Sequence, residues 1–257
     1  MTTLYIVATP IGNMEDFTFR AVRILSEVDF ILCEDTRVTK NLLNHYKIHT
    51  PLISYHQHSA LQKVEQILEY LEEGKNLALV TDAGTPGISD PGGKLVQAVI
   101  ERFGDDVKIE SVPGASAVTA ALSISGVAAD KFIFLGFPPH KKGRQTFLHK
   151  ILTSEYPVVV YESKHRIIKF LEELKKISDG MLVKSEEDEE SEGEMEVKSY
   201  KLKVNEKQKI HLTSVVVCRE LSKMFETVYR GELDSIIDKI KNNKDDQKGE
   251  FVVIIGK

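Results

Sequence analysis

The stretch of the sequence best suited to chemistry is 81–92, Thr-Asp-Ala-Gly-Thr-Pro-Gly-Ile-Ser-Asp-Pro-Gly, which sets two carboxylates among three glycines and two prolines. It follows the apolar run 77–80 and precedes apolar residues at helical spacing, so it connects a strand to a helix. Such connections usually span about 2–6 residues. A longer glycine-rich one predicts a ligand-binding loop at the carboxyl end of a strand, with an ordinary connection as the alternative. Asp90 and Pro91 are predicted to cap and begin the helix.

Three other apolar runs in the first half also end in polar turns. These turns are 9–13 (Thr-Pro-Ile-Gly-Asn), 34–37 (Glu-Asp-Thr-Arg) and 113–117 (Pro-Gly-Ala-Ser-Ala). Amphipathic helical segments separate the runs, and this alternation predicts a parallel sheet with right-handed crossovers. The carboxyl ends of parallel strands meet at one edge, so the four turns are predicted to converge. The turn at 113–117 precedes a helix, where free N–H groups suit a carboxylate or phosphate.

Two common nucleotide-binding motifs are absent from the sequence. No G-x-G-x-x-G follows the first strand and no G-x-x-x-x-G-K-[ST] occurs, which argues against ordinary dinucleotide binding and P-loop chemistry. The sequence 56–58, His-Gln-His, has a spacing that a metal could use. No cysteine or carboxylate partner lies beside it in the sequence, so we predict that no metal is bound there.

Composition points to a protein large enough for two small domains. The chain has 257 residues, of which 42% are hydrophobic, and the pattern of its residues changes near 126–131. We predict domains at 1–128 and 129–257. Neither a CxxC pair nor an apolar run of transmembrane length occurs, which favours a cytoplasmic protein with two free thiols, Cys33 and Cys218.

The net charge of −5 comes from one short segment. Residues 185–196 hold eight Asp or Glu and no Lys or Arg, so the remainder of the chain sums to +3. The segment has little to bury and is predicted to be a disordered surface insertion with no activity of its own. A weakly basic body is compatible with a nucleic-acid partner but does not demonstrate one.

Polar and basic residues also follow apolar runs in the second half. The run 132–137 leads into a basic connection, 138–144, and the run at 157–161 leads into 162–166, Glu-Ser-Lys-His-Arg. A β-branched run at 213–218 is followed by 219–223, Arg-Glu-Leu-Ser-Lys. Each of these could present charged groups to a substrate. Each could equally be structural, as ion pairs at helix starts or as a solvated loop.

Taken in order, these motifs resemble those of one family. They are Ala-Thr-Pro-Ile-Gly-Asn at 8–13, Glu-Asp-Thr-Arg at 34–37, Asp-Ala-Gly-Thr-Pro at 82–86, Pro-Gly-Ala-Ser-Ala at 113–117, Tyr-Glu-Ser at 161–163 with His-Arg at 165–166, and Arg-Glu-Leu at 219–221. The order is similar to that of the ribosomal RNA small subunit methyltransferase I group within the tetrapyrrole methylase fold. The similarity covers the whole chain apart from the acidic segment.

The resemblance implies an α/β fold of two domains. The N-terminal domain would hold a mostly parallel sheet with flanking helices and the C-terminal domain a mixed sheet, with the active-site cleft between them. The implied reaction is S-adenosylmethionine-dependent 2′-O-methylation of a cytidine in the decoding region of 16S rRNA, within the 30S subunit. The resemblance also implies a homodimer. No metal is required in principle for this methyl transfer. Family members often carry a helical C-terminal extension, whereas this sequence stops at 257.

The resemblance also implies roles for single residues. A ribose hydroxyl is a poor nucleophile, so a carboxylate should lie within reach of it. The predicted catalytic residues are Asp35, Glu162, Glu220, Arg37 and Arg219, with Glu34 as a further candidate base. The predicted cofactor-binding residues are Pro10, Asp82, Ala83, Gly84, Ile88, Ser116, Ala117 and Tyr161. The predicted RNA-binding residues are Arg166, Lys141, Lys142, Arg144 and Lys223.

Two other functions stay open at this point. The first is methylation of a tetrapyrrole or another small molecule, since the fold is shared. Those branches resemble one another in a Gly-x-Gly-Pro-Gly-Asp first loop, whereas this sequence has Ala-Thr-Pro-Ile-Gly-Asn. The second is a non-catalytic RNA-binding assembly factor, which cofactor turnover would exclude.

Overall fold

The chain divides into two units, Met1–Ala120 and Ala121–Lys257, in a computed structural model that describes residues 1–56, 61–90, 92–180 and 214–256. The boundary predicted from sequence, between 128 and 129, stays a prediction. The acidic segment 185–196 lies outside the described residues. Within the described ranges, no helix combines the length and apolar character needed to cross a membrane.

The first unit is built on a five-stranded sheet whose paired strands all run parallel. The strand order is β3-β2-β4-β1-β5. The strands are β1 (Thr2–Val7), β2 (Phe30–Cys33), β3 (Leu52–Ser54), β4 (Leu77–Leu79) and β5 (Val107–Val112). The helices are α1 (Phe19–Glu27), α2 (Thr36–His45), α3 (Leu61–Glu72), α4 (Gly93–Phe103) and α5 (Ala117–Ser125), which spans the division between the units.

Helices cover both faces of this sheet. Ile31 and Ala78 belong to a core cluster that includes residues of α1 and α2, whereas Leu32 and Leu79 belong to a second cluster with residues of α3 and α4. Neighbouring residues of a strand point to opposite faces, so these apolar runs have no polar side. The unit is therefore a three-layer α/β/α arrangement, as the alternating strands and helices predict.

The second unit contains a mixed five-stranded sheet in the order β6-β7-β10-β8-β9. Only the β6–β7 pair is parallel. The strands are β6 (Ile133–Phe134), β7 (Val158–Ser163), β8 (Ser214–Arg219), β9 (Thr227–Gly231) and β10 (Glu250–Gly256). Three helices pack on one face: α6 (Arg144–Thr153), α7 (Ile167–Ser178) and α8 (Leu233–Asn242). The two sheets confirm the fold class implied by the resemblance.

Strand β6 is shorter than the apolar run 132–137 predicts. The chain leaves the extended conformation at Gly136, where φ is 67°, a value that glycine adopts readily and other residues rarely do. The Gly136 carbonyl still accepts a hydrogen bond from the Tyr161 N–H at 3.0 Å. The apolar run therefore ends as a loop that remains bonded to β7.

The start of α4 corrects the sequence prediction. Gly92, not Asp90, is the N-cap, and its φ of 145° is strained for any other residue. A Cβ at Gly92 would lie 3.0 Å from Leu79 Cδ2 and 3.2 Å from the Gly87 nitrogen. The loop therefore needs glycine where it turns into the helix, and Asp90 belongs to the loop; Pro91 lies outside the described residues.

We predict that Gly92→Ala lowers the free energy of unfolding by roughly 1–3 kcal/mol, because it combines backbone strain with two close contacts. The measurement is the urea unfolding midpoint followed by circular dichroism. Gly93→Ala is the matched control, since nothing lies within 4 Å of a Cβ there and the residue is helical. A Gly92 variant as stable as the Gly93 variant would contradict the steric account.

Candidate functional site

The predicted convergence of the polar turns in the first unit is confirmed. The backbones of Thr9 and Gly84 exchange two hydrogen bonds, with N···O distances of 2.9 and 3.1 Å. The Thr9 hydroxyl also donates to the Thr81 carbonyl at 3.0 Å. On the other side, the Thr85 hydroxyl donates to the Ala115 carbonyl at 3.2 Å. These bonds join the loops after β1, β4 and β5.

Gly84 lies at the centre of these contacts. It is buried, its φ is +86°, and an added Cβ would sit 3.4 Å from Ile11 Cγ2 and 3.7 Å from the Ala115 carbonyl oxygen. The added Cβ would make only ordinary contacts, so glycine is favoured here by its backbone conformation, which other residues rarely adopt. The predicted cofactor-binding residues of the first unit belong to these loops: Pro10, Ser116 and Ala117 are half-buried, Asp82, Ala83 and Ile88 are exposed, and Gly84 is buried.

Three carboxyl groups lie close together at the ends of β2 and β4: Glu34, Asp82 and Asp90. The pKa of Asp90 is raised to about 6. Burial is the largest cause; the charges of Glu34 and Asp82 also raise the pKa, and the adjacent Thr81 hydroxyl partly offsets them. Burial and the charge of Asp82 raise the pKa of Glu34 as well. The side chain of Asp82 is fixed by the Asp35 N–H, which donates to its Oδ1 at 3.2 Å. This edge therefore carries carboxyl groups that hold protons more tightly than usual.

Asp35 has the opposite electrostatic character. Its carboxylate caps α2 by accepting from the Arg37 N–H at 2.8 Å, and it pairs with the Arg37 guanidinium at 2.7 Å. Hydrogen bonds from the Arg37 side chain and backbone lower the pKa of Asp35 to about 2. A carboxylate this acidic is a weak proton acceptor at neutral pH. The Asp35–Arg37 pair therefore does what the structural alternative predicts, because it caps the start of α2.

Arg219 is a structural residue in the second unit, which corrects its predicted catalytic role. Its side chain is 7% exposed. Its guanidinium donates to the carbonyls of Lys248 at 2.7 Å, Phe225 at 3.0 Å and Asp245 at 2.6 Å. These three bonds tie the segment that precedes β10 to the connection between β8 and β9.

Glu220 and Lys223 are engaged with each other. Glu220 Oε1 accepts from the Lys223 ammonium at 3.0 Å and from the Glu250 N–H at 2.8 Å. Lys223 also pairs with the Glu250 carboxylate at 2.7 Å. Burial alone would raise the pKa of Glu220, but the bonds from Glu250 and Lys223 outweigh it and the net pKa is lowered. This carboxylate is held in its ionised form, and the Lys223 charge is already balanced.

Glu162 also departs from its predicted catalytic role. Its side chain has an exposed fraction of 0%, so it cannot touch a substrate in this structure. It accepts from the Ser163 N–H at 2.7 Å and pairs with Arg166 Nε at 2.9 Å. Arg166 in turn donates to the Pro138 carbonyl at 3.1 Å. The pair fixes the connection after β6.

The basic connection divides into one buried residue and two exposed ones. Lys141 and Lys142 are exposed, as an RNA-binding role requires. Arg144 is buried, with its guanidinium 2.7 Å from the Glu173 carboxylate and bonded to the Pro139 carbonyl at 2.8 Å. The structure favours a structural role for Arg144 over the predicted RNA contact, because its side chain is buried and Glu173 balances its charge.

Tyr161, the predicted cofactor residue of the second unit, belongs to an aromatic cluster. Its ring centroid lies 4.9 Å from that of Phe134 and 5.4 Å from that of Phe137, both at steep interplanar angles. Phe137 is 51% exposed. The sequence does not indicate this exposed ring, because Phe137 is the last residue of the apolar run 132–137.

No metal centre is visible among the described residues: no three His, Cys, Asp or Glu side chains lie close enough to hold an ion. His58 lies outside the described ranges, so the His56–His58 pair is untested there. The independence of the reaction from metal stays a prediction. The second unit has a cavity of about 350 Å³ near the first residues of β8.

Asp90 is the residue that the sequence pattern misassigned most clearly. As a predicted helix cap it should be an exposed, ionised side chain. The structure instead places it beside Thr81, where its pKa rises to about 6. The repeated carboxylates of the loop could have signalled this, because two acidic residues on one glycine-rich turn must share a small space.

We predict opposite pH effects for Asp90→Asn and Asp35→Asn. Folded Asp90 keeps its proton up to about pH 6, whereas an unfolded Asp releases it near pH 3.9. The group therefore costs stability progressively as pH rises from about 3.9 to about 6, and the loss is complete above that, so Asp90→Asn should raise the unfolding midpoint at about pH 7.5 but not at about pH 4. The measurement is urea unfolding at both pH values.

Asp35 serves as the internal control. Its folded pKa of about 2 lies below the unfolded value, so the ionised group stabilises the fold above about pH 4, and this contribution is lost as pH falls towards 2. Asp35→Asn should lower the midpoint at about pH 7.5. Changes of the same sign in both variants would contradict the assigned environments.

We further predict that Arg219→Lys destabilises the protein by roughly 2–4 kcal/mol, since lysine cannot donate to three carbonyls in the geometry of a guanidinium. Arg37→Lys is the matched control, because the Arg37 side chain is 88% exposed and surface pairs contribute little, roughly 0–1 kcal/mol. Thermal unfolding measures both. Equal melting temperatures for the two variants would show that Arg219 is not a structural clamp.

Comparison with known proteins places this chain in a family. Residues 3–237 match the family described as Tetrapyrrole (Corrin/Porphyrin) Methylases. Proteins named ribosomal RNA small subunit methyltransferase I are similar over nearly the whole chain. The one from Synechocystis is 39% identical, covering 99% of this chain and 79% of the relative. The one from Thermotoga maritima is 36% identical, covering 99% and 98%.

Solved structures agree on the fold. A diphthine synthase superposes with a TM-score of 0.66 at 12% identity, covering all of this chain and 90% of its own. The uroporphyrin-III-C-methyltransferase of Thermus thermophilus superposes with a TM-score of 0.59 at 15% identity, covering all of this chain and 94% of its own. With the sequence similarity, this shows that the chain belongs to the ribosomal RNA small subunit methyltransferase I group of the tetrapyrrole methylase family.

Proposed function

We propose that this protein transfers a methyl group from S-adenosylmethionine to the 2′-hydroxyl of a cytidine in the decoding region of 16S rRNA, within the 30S subunit. The observation that carries the proposal is full-length similarity, at 36–39% identity, to proteins named ribosomal RNA small subunit methyltransferase I. A ribosomal substrate would place the protein in the cytoplasm. We also propose a homodimer, which sedimentation analysis tests.

The joined loops of the first unit suit the proposed cofactor. S-adenosylmethionine supplies the methyl group as an electrophilic sulfonium, and its carboxylate and adenine need backbone partners. The glycine at 84 brings three loop backbones together, and Ser116 lies next to the start of α5, where N–H groups favour an anion. Pro10, Ala83, Ile88 and Tyr161 remain the proposed apolar contacts.

The environments of the carboxyl groups change which base we favour. Asp35 is too acidic, Glu162 has no exposed surface, and Glu220 is fixed by Lys223. Asp90 is half-buried with a pKa of about 6, close to the pH at which a general base works best. Glu34 also has a raised pKa and stays the alternative base. We propose Asp90, which lies on the glycine-rich loop after β4, as the group that accepts the hydroxyl proton.

The first test is transfer of labelled methyl from S-adenosylmethionine to 30S subunits that lack the modification, followed by nuclease digestion. We expect the label as 2′-O-methylcytidine. Label on a carbon or nitrogen of a base would overturn the proposed 2′-hydroxyl target. Label transferred to a porphyrinogen but not to 30S subunits would favour small-molecule methylation. Cofactor binding with no transfer to either acceptor would favour a non-catalytic factor.

The second test concerns the base. Asp90→Asn should lower kcat by about 100-fold or more, in the range typical of a lost general base, and should remove the decline in rate below about pH 6. Asp35→Asn is the control, with kcat expected within a few-fold of the unchanged protein. An Asp90→Asn variant that keeps kcat and the pH profile would place the base elsewhere.

A further inference from the structure

The connection between β6 and α6 holds an exposed aromatic ring in a fixed position. Phe137 is 51% exposed, and its ring packs edge-on against Tyr161 at 5.4 Å. Single exposed apolar side chains are ordinary on protein surfaces. Phe137 differs because the backbone on both sides of it is tied to the rest of the second unit.

Two guanidinium groups anchor the residues that follow Phe137. Arg166 donates to the Pro138 carbonyl at 3.1 Å, and Arg144 donates to the Pro139 carbonyl at 2.8 Å. Each arginine is itself held by a buried carboxylate, Glu162 or Glu173. The prolines also fix their own φ and keep the preceding residue extended. The loop is therefore rigid before any ligand arrives.

The surroundings of Phe137 are basic. Residues 136–144 and 163–169 contain no Asp or Glu, and the carboxylate of Glu162 that precedes them is buried and paired with Arg166. Lys141, Lys142 and Lys164 are all exposed. Phe137 thus shares its own loop with Lys141 and Lys142, and Lys164 lies on the loop after Tyr161, against which Phe137 packs. Single-stranded nucleic-acid sites combine these two elements, because bases stack on aromatic faces and cations contact phosphates.

We propose that Phe137 is a stacking platform for an unpaired base of the RNA substrate, with Lys141, Lys142 and Lys164 on the neighbouring phosphates. Arg144 and Arg166 act as positioning residues that hold the platform and do not bind phosphate. The inference rests on the proposed RNA substrate and adds the residue that would engage a base. A rigid platform lowers the ordering cost of binding, because little loop entropy remains to be lost.

The sequence offers a direct optical test because the protein contains no tryptophan. Phe137→Trp introduces a single indole at the platform. Phe132→Trp introduces one on the other side of Gly136, at a phenylalanine that is 40% exposed. We expect a short oligocytidylate to quench the emission of Phe137→Trp and to leave Phe132→Trp unchanged. Because Phe137 packs against Tyr161, a proposed cofactor contact, the titration is made with saturating S-adenosylmethionine present, and the further quenching by RNA is the readout.

A second measurement separates stacking from folding. Phe137→Leu should weaken RNA binding roughly 5- to 100-fold and raise the KM for 30S subunits, as expected for a lost base–aromatic contact. The kcat and the calorimetric affinity for S-adenosylmethionine should not change. Phe137→Tyr keeps the ring and should rescue binding to within a few-fold, and Phe132→Leu is the matched control.

The outcomes distinguish this inference from the function on which it rests. RNA bound or methylated normally by Phe137→Leu, or bound without quenching of Phe137→Trp, would overturn the platform and leave the proposed methylation intact. Quenching by S-adenosylmethionine with no further quenching by RNA would assign the ring to the cofactor and overturn the RNA contact. Absence of both RNA binding and RNA methylation in the unchanged protein would overturn the two together.

Discussion

The reciprocal hydrogen bonds between Thr9 and Gly84 are the constraint on which the first unit's site depends. They form between loops that follow β1 and β4, which are adjacent parallel strands, and Gly84 makes them at a φ of +86°, which other residues rarely adopt. The contact from Thr85 to Ala115 then adds the loop after β5. Parallel strands place their carboxyl ends together, but this bonding converts neighbouring loops into one rigid surface.

Electrostatics at that surface depends on burial more than on residue type. Asp35 and Asp90 are the same amino acid, yet one has a pKa of about 2 and the other of about 6. Both are half-buried, but the first accepts hydrogen bonds from Arg37, whereas desolvation dominates for the second, which also lies near Glu34 and Asp82. If Asp90 is the base, its unfavourable ionisation is an example of stability given up at a functional site.

Three arginines of the second unit, two buried and one half-buried, play a common part. Their planar guanidinium groups donate hydrogen bonds to backbone carbonyls in loops outside the sheet pairing, and these arginines are Arg144, Arg166 and Arg219. Such carbonyls would otherwise need water or a strand partner. The basic side chains that stay exposed, among them Lys141 and Lys142, are therefore presented on loops whose backbones are already fixed. Positive residues of this unit serve two purposes, and burial separates them.

The sequence by itself determined the alternation of strands and helices, the parallel first sheet and the meeting of four polar turns, because hydrophobic periodicity and strand direction are local properties. Its motifs also identified the family. Tertiary structure decided which charged residues face solvent. Arg144 and Arg219 read as exposed cations and Asp90 as a helix cap, since nothing local to them indicates Glu173, the carbonyls near residue 248, or the charge of Glu34. Charge, exposure and pKa depend on neighbours distant in sequence, and only folding brings those neighbours into contact.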